Sequence, residues 1–265
     1  MYLSKSAIQT FFHTEPHASA EKALEIPAAA TMQSPQNNDR EDSSVKRNQE
    51  EPITGVILAG GKSRRMGRNK ALLDLGGICL IEKTYQTMSK LFPEVLLITN
   101  TPDEYAFLNC RCQADIYPAI GSIAGLHAAL STSDTDRIFV VPCDMPFLSP
   151  ALITLLCQTG KTYDAVVPFS RQGLEPLHAL YHRRCLPQLE QAITEGDKKL
   201  QNFLQDIWTY FLPVSAYSDI PDAEHSFRNV NRPEDYAALG LPQQENLKPE
   251  WQETASYRSR ALGTL

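Results

Sequence analysis

Hydrophobic positions fall into short apolar runs separated by stretches of helical spacing, a pattern that predicts alternating strands and helices. Ile53, Val56, Ile57 and Leu58 form a β-branched run that predicts a strand ending at Gly60-Gly61. Residues 71–75 predict a second short strand, stopped by the Gly76-Gly77 turn. Leu80, Ile81, Thr84, Tyr85, Met88, Leu91 and Phe92 recur at helical spacing up to Pro93, and residues 94–99 (EVLLIT) read as a buried strand. A short strand is expected over 113–117, then a helix opening at Gly121 with Ile123, Leu126 and Leu130 on its apolar face. Arg137–Pro142 (RIFVVP) carries the strongest strand signal, and Ser149 and Pro150 suit the cap and first position of a helix through 152–157. Strands over 164–168 and 177–181, helical segments over 185–195 and 198–204, and an edge strand over 208–214 complete the series.

The order strand, helix, strand implies a right-handed crossover and a parallel sheet, with binding groups at the carboxyl ends of its strands. Residues 1–51 mix polar residues, Pro and Ala without sustained periodicity and are expected to form a disordered leader, with 19–26 able to make a short helix. Residues 52–240 are expected to form one domain, and from 241 the chain reads as a polar tail.

Composition narrows the function. At 265 residues and 42% hydrophobic the chain can bury a sizeable core, while a net charge of −6 argues against a general nucleic-acid binder. No run of about 18 apolar residues is present to span a bilayer, and no basic segment followed by a hydrophobic stretch marks a signal peptide. The expected location is the cytoplasm, away from membranes. Six cysteines without paired C-x-x-C units suggest neither a disulfide framework nor a zinc site.

Against this acidic background, Lys62, Arg64, Arg65, Arg68 and Lys70 place five cations within nine residues, directly after the first strand and its glycine turn. Such a concentration suits an anionic ligand, and the reading is a phosphate site. The spacing fits neither the Walker pattern, since Arg68 and Asn69 follow Gly67, nor G-x-G-x-x-G. The alternative is a basic surface loop. Asp144 follows a fully apolar strand, where a carboxylate needs a cation, a metal ion or N–H donors; its alternative role is a turn or cap. Asn100 and Asp115 sit at or near two more strand ends. Small residues from Gly121 to Gly125 leave room for a ligand at a helix N-terminus, or serve close packing of helix on sheet. Asn229 and Asn231 share one side of an extended segment, suited to a polar ligand, with Asn231 equally suited to cap a helix near Pro233. The six histidines show no convincing metal spacing, and no G-x-S-x-G element supports a serine hydrolase.

Taken in order, LAGGKSRRMGRNKALL, DIYPAIGSIAGLHAAL, PCDMPFL, EPLHALY and FRNVNRPEDY resemble the molybdenum cofactor guanylyltransferase family over roughly residues 53–240. The resemblance implies an α/β, Rossmann-like nucleotidyltransferase fold, with a mostly parallel central sheet and helices on both faces. It also implies transfer of GMP from GTP, with Mg²⁺, to molybdopterin or its molybdenum-loaded form, releasing pyrophosphate. Leu58, Ala59 and Gly60 would then contact the guanine nucleotide through the backbone, and Lys70 would hold its phosphates. Asn100 and Asp115 match further GTP contacts, Asp144 matches the Mg²⁺ ligand, and Asn229 and Asn231 match the pterin side. Arg65 joins Lys70 and Asp144 in the expected catalytic set, although solvent remains an alternative place for Arg64 and Arg65. The sequence departs from the family at Ser122, where a proline often follows the first glycine. Implied partners are GTP, the pterin, other cofactor-biosynthesis proteins and molybdoenzyme chaperones.

The rival readings are cytidylyl transfer to the same pterin, nucleotidyl transfer to a sugar phosphate, and a nucleotide-binding regulatory module without turnover. The Ala59-Gly60-Gly61 sequence leans toward guanine, because relatives using CTP tend to carry Ala-Ala-Gly.

Overall fold

The β-branched run forms strand β1, Ile53–Leu58, whose alternating side chains feed two different cores. Ile57 packs with one cluster, and Val56 and Leu58 with the other. Gly55 permits a close approach, because a Cβ there would lie 2.7 Å from Phe92 Cδ2. These features come from a computed structural model, which describes residues 51–60, 69–75, 77–118, 120–230 and 235. The leader over 1–50 with its expected 19–26 helix, the loop over 61–68 with Lys62, Arg64, Arg65 and Arg68, Gly76, Asn231 and the tail lie outside the described residues. The helix expected near Pro233 is described only at Asp235.

Helix α1 (Leu80–Leu91) leads to β2 (Val95–Ile98), and β3 (Arg111–Gln113) precedes α2 (Ser122–Thr132) and β4 (Arg137–Pro142). There follow α3 (Pro150–Thr159), β5 (Ala165–Ser170), β6 (Gly173–Leu174), β7 (Ala179–His182), α4 (Leu186–Thr194), α5 (Leu200–Phe203) and β8 (Thr209–Leu212). The eight strands make one sheet in the order β3-β2-β1-β4-β7-β5-β6, with β8 against β5. Strands β1 to β4 pair in parallel. β7 runs antiparallel between β4 and β5, and β8 runs parallel to β5. Residues of α1 and α3 belong to one core cluster and those of α2, α4 and α5 to the other, so both faces of the sheet are covered. This is the expected α/β architecture with a mostly parallel core.

Three expected strands differ. Residues 71–75 do not extend; Lys70–Leu72 forms a 3-10 turn because the Asn69 side chain accepts the Ala71 N–H at 3.1 Å. Among the described residues there, Asp74 and Cys79 form an isolated bridge. The strand expected over 113–117 ends at Gln113, because the Asp115 N–H donates to Asn100 Oδ1 and leaves the ladder. The expected strand over 177–181 begins only at Ala179, and an unforeseen short β6 precedes it across Glu175-Pro176. The Tyr181 hydroxyl fastens that interruption by donating to the Pro176 carbonyl at 2.7 Å. The cap and opening of α3 at Ser149 and Pro150 are as expected, with Ser149 Oγ accepting the Leu152 N–H. No helix among the described residues is long and apolar enough to cross a membrane.

Candidate active site

Parallel register brings the chemistry together. Leu58 pairs with Ile98 on one side and Pro142 on the other, so the chain leaves β1, β2 and β4 at one level. Two ladder bonds continue past the strands, from the Ala59 N–H to Ile98 O at 2.9 Å and from the Cys143 N–H to Leu58 O at 3.0 Å. Ala59-Gly60, Asn100 and Asp144 therefore emerge side by side at the carboxyl edge, where open α/β sheets bind ligands.

Asp144 meets Lys70 here. Lys70 Nζ donates to Asp144 Oδ2 at 2.7 Å, with the two side chains 15% and 25% exposed, so the pair is sheltered yet open to a ligand. The second carboxylate oxygen, Oδ1, is buried and has no hydrogen-bond partner among the described residues. An orphaned anionic oxygen is costly to bury, and a bound cation would satisfy it. The Asp144 carbonyl accepts the Val230 N–H at 2.9 Å, which brings exposed Asn229 next to the Asp144 loop. The neighbouring Cys143 thiol is pushed up to about 12 by burial and then by the Asp144 charge, so it stays protonated and is no nucleophile at neutral pH.

Asn100 and Asp115 form a reciprocal pair. Asn100 Nδ2 donates to Asp115 Oδ2 at 2.8 Å, and the Asp115 N–H donates to Asn100 Oδ1 at 3.0 Å. Glycines border this pair: a Cβ on Gly60 would lie 3.8 Å from Asp115 Oδ2, and one on Gly125 would lie 3.8 Å from Asp115 Oδ1 and 3.2 Å from Leu58 Cδ2. The first turn of α2, entered through Gly121 at φ 91°, thus stands beside Asp115 with small residues where bulk would close the space. The missing Cβ groups at Gly60 and Gly125 keep room beside Asp115 for a flat or extended ligand.

The structure therefore joins Lys70 with Asp144, and Asn100 and Asp115 with Leu58, Gly60 and the start of α2. Asn229 is brought near by its neighbour Val230, whereas Arg65 and Asn231 lie outside the described residues. His178 and His182 go to other work: His178 packs edge-on to Phe139 and Phe227, and His182 Nδ1 accepts the Arg184 N–H. Among the described residues no group of three or more His, Cys, Asp or Glu could hold a metal ion. Sequence reasoning missed Asn69, Glu104 and Tyr105, which gather beside Lys70; the only local signal was an Asn directly before the 3-10 turn.

Comparison with known proteins gives this geometry a lineage. The profile of the MobA-like NTP transferase domain matches residues 55–211. A relative from Pelotomaculum thermopropionicum, named probable molybdenum cofactor guanylyltransferase, is 34% identical over 182 residues, covering 69% of this chain and 89% of the relative. The molybdenum cofactor guanylyltransferase of Desulfosudis oleivorans is 32% identical over 185 residues, covering 69% and 92%. The crystal structure of molybdopterin-guanine dinucleotide biosynthesis protein A from Archaeoglobus fulgidus superposes with a TM-score of 0.61 at 29% identity, covering 70% of this chain and 96% of that one. With a matched domain that runs from β1 to β8 and carries Lys70 and the Asp144 strand end, the chain belongs to the MobA-like NTP transferase family.

Proposed function

We propose that the chain is a molybdenum cofactor guanylyltransferase, transferring GMP from GTP to molybdopterin with release of pyrophosphate. The observation that carries the reading is the Lys70–Asp144 pair beside the strand ends, with an Asp144 Oδ1 that has no partner among the described residues. The backbone of Leu58, Ala59 and Gly60 receives the guanine nucleotide, with Asn100 and Asp115 as further contacts. Lys70 holds the phosphates, joined by Arg65. Asn229 and Asn231 are assigned to recognition of the pterin.

The residues present fit a Mg²⁺ ion: Asp144 Oδ1 offers a buried anionic ligand, and one carboxylate plus substrate phosphates is an ordinary Mg²⁺ set. When bound, Mg²⁺ would supply charge neutralisation for the triphosphate and the leaving pyrophosphate. Lys70 adds a second positive centre held in place by Asp144 Oδ2. The acceptor phosphate is a monoester with a second pKa of about 6, so it is largely dianionic near neutral pH and needs no strong general base. Its oxygen forms a new bond to the α-phosphorus of GTP as the bond from that phosphorus to pyrophosphate breaks. Protonated Cys143 is consistent with direct transfer and no covalent enzyme intermediate.

The reading assigns the open space at Gly60 to the guanine: an alanine there, as in the Ala-Ala-Gly version, would bring its Cβ into ordinary contact with Asp115 Oδ2 at 3.8 Å and take up part of that space. The test is to incubate the purified chain with GTP, Mg²⁺ and molybdopterin, and measure pyrophosphate and the guanine dinucleotide product by mass. Product that requires all three components is the expected result; GTP left intact in the presence of the pterin contradicts the proposal.

A further inference from the structure

Asn69, Glu104 and Tyr105 converge beside Lys70 and belong to neither the nucleotide nor the pterin set. Asn69 Nδ2 donates to Glu104 Oε2 at 2.5 Å and to the Tyr105 hydroxyl oxygen at 2.8 Å, while Asn69 Oδ1 accepts the Ala71 N–H at 3.1 Å. Both amide hydrogens and the amide oxygen are thus engaged, and only one orientation of the amide satisfies all three contacts. Tyr105 is buried in the core, and burial with neighbouring groups keeps its hydroxyl neutral at a pKa of about 12. Glu104 and Tyr105 lie in the 3-10 segment Pro102–Leu108, shortly after Asn100 leaves β2. The amide therefore ties the exit of β2 to the 3-10 turn whose first residue is Lys70.

We infer that Asn69, Glu104 and Tyr105 are positioning residues, which through the Asn69 amide fix the turn that presents Lys70 to Asp144 and to the phosphates. The inference rests on the role of Lys70 in the proposed guanylyl transfer. It makes the chemistry of position 69 specific: aspartate is nearly isosteric and keeps an oxygen for the Ala71 N–H, but it turns the donor facing Glu104 into a second carboxylate oxygen. Two carboxylates at that spacing repel, and the turn is pushed off its anchor. Glutamine at position 104 returns a donor to the pair from the other side, so the second substitution should repair the first.

The experiment compares wild type, Asn69→Asp, Glu104→Gln and the double variant. It measures kcat and KM for GTP in transfer to molybdopterin, melting temperature, and hydrogen exchange at the Ala71 amide. Asn69→Asp should lower kcat/KM by about tenfold or more, and the double variant should return to within about threefold of wild type. Exchange at Ala71 should quicken in Asn69→Asp and slow again in the double variant, with all four proteins folded. Activity and Ala71 exchange unchanged by Asn69→Asp, or a double variant no better than Asn69→Asp, overturns the inference. A wild type that transfers nothing defeats the guanylyl-transfer reading instead. The Ala71 exchange pattern then still decides the positioning of the turn.

Discussion

Replacing Asp144 with asparagine removes one charge and changes almost no volume, so it separates the chemistry of the site from its packing. The amide oxygen can face Lys70, but the amide nitrogen then takes the place of the buried Oδ1 and presents hydrogens where a cation is expected. Losing one electrostatic contact aimed at the transition state typically costs about 3–4 kcal/mol, which is roughly 10²- to 10³-fold in kcat/KM. Stability behaves differently. The Lys70 and Asp144 side chains are 15% and 25% exposed, and after solvent screening such a pair contributes no more than about 1 kcal/mol. The melting temperature should therefore move by only about 2–4 °C. Initial rates of pyrophosphate release, with GTP and molybdopterin saturating in turn, give the kinetic arm, and a thermal melt gives the other. A variant within about threefold of wild type in kcat/KM refutes the assignment of Asp144, and so does a rate loss fully matched by unfolding.

Lys70→Met should lower kcat/KM by about 10²-fold, because it removes the positive centre while leaving the Asp144 carboxylate without that partner; steady-state kinetics check it, and Lys70→Arg should fall between. Gly125→Val should raise KM for GTP more than it lowers kcat, since even a bare Cβ would stand 3.2 Å from Leu58 Cδ2 and 3.8 Å from Asp115 Oδ1; a GTP titration decides. His178 is buried, and burial lowers its pKa to about 3. The unfolded chain takes up a proton near pH 6.5 that the fold refuses, so this contribution to stability is whole above pH 6.5 and is lost as pH falls toward 3. At pH 5 the loss is about 2 kcal/mol. Urea unfolding of wild type and His178→Gln between pH 7 and 5 should show the slope in the former and remove it in the latter.

Much of the parallel half of the sheet was legible in the sequence because three of its four strands, β1, β2 and β4, are nearly continuous apolar runs, whereas β3 (Arg-Cys-Gln) carries no such signal. Strand ends were legible for the same reason, which is why Asn100 and Asp144 stood out. Strand direction was not: the apolar pattern of β7 is the same whichever way the strand runs, and its antiparallel place between β4 and β5 is a tertiary fact. The turn at Lys70 misled because Ala71, Leu72 and Leu73 look like strand residues, while the Asn69 cap that bends them is a single local contact. The Asn69–Tyr105 contact spans 36 positions in sequence and has no periodicity to betray it. The joining of Asn100 to Asp115 was likewise out of reach, although each residue was noticed alone.

Direct competition between GTP and CTP, both with Mg²⁺ and molybdopterin as acceptor, tests the central claim. With both nucleotides at equal concentration, the account predicts that the dinucleotide product carries guanine and that pyrophosphate appears in equal amount. A cytosine product, or no transfer from either nucleotide, contradicts it.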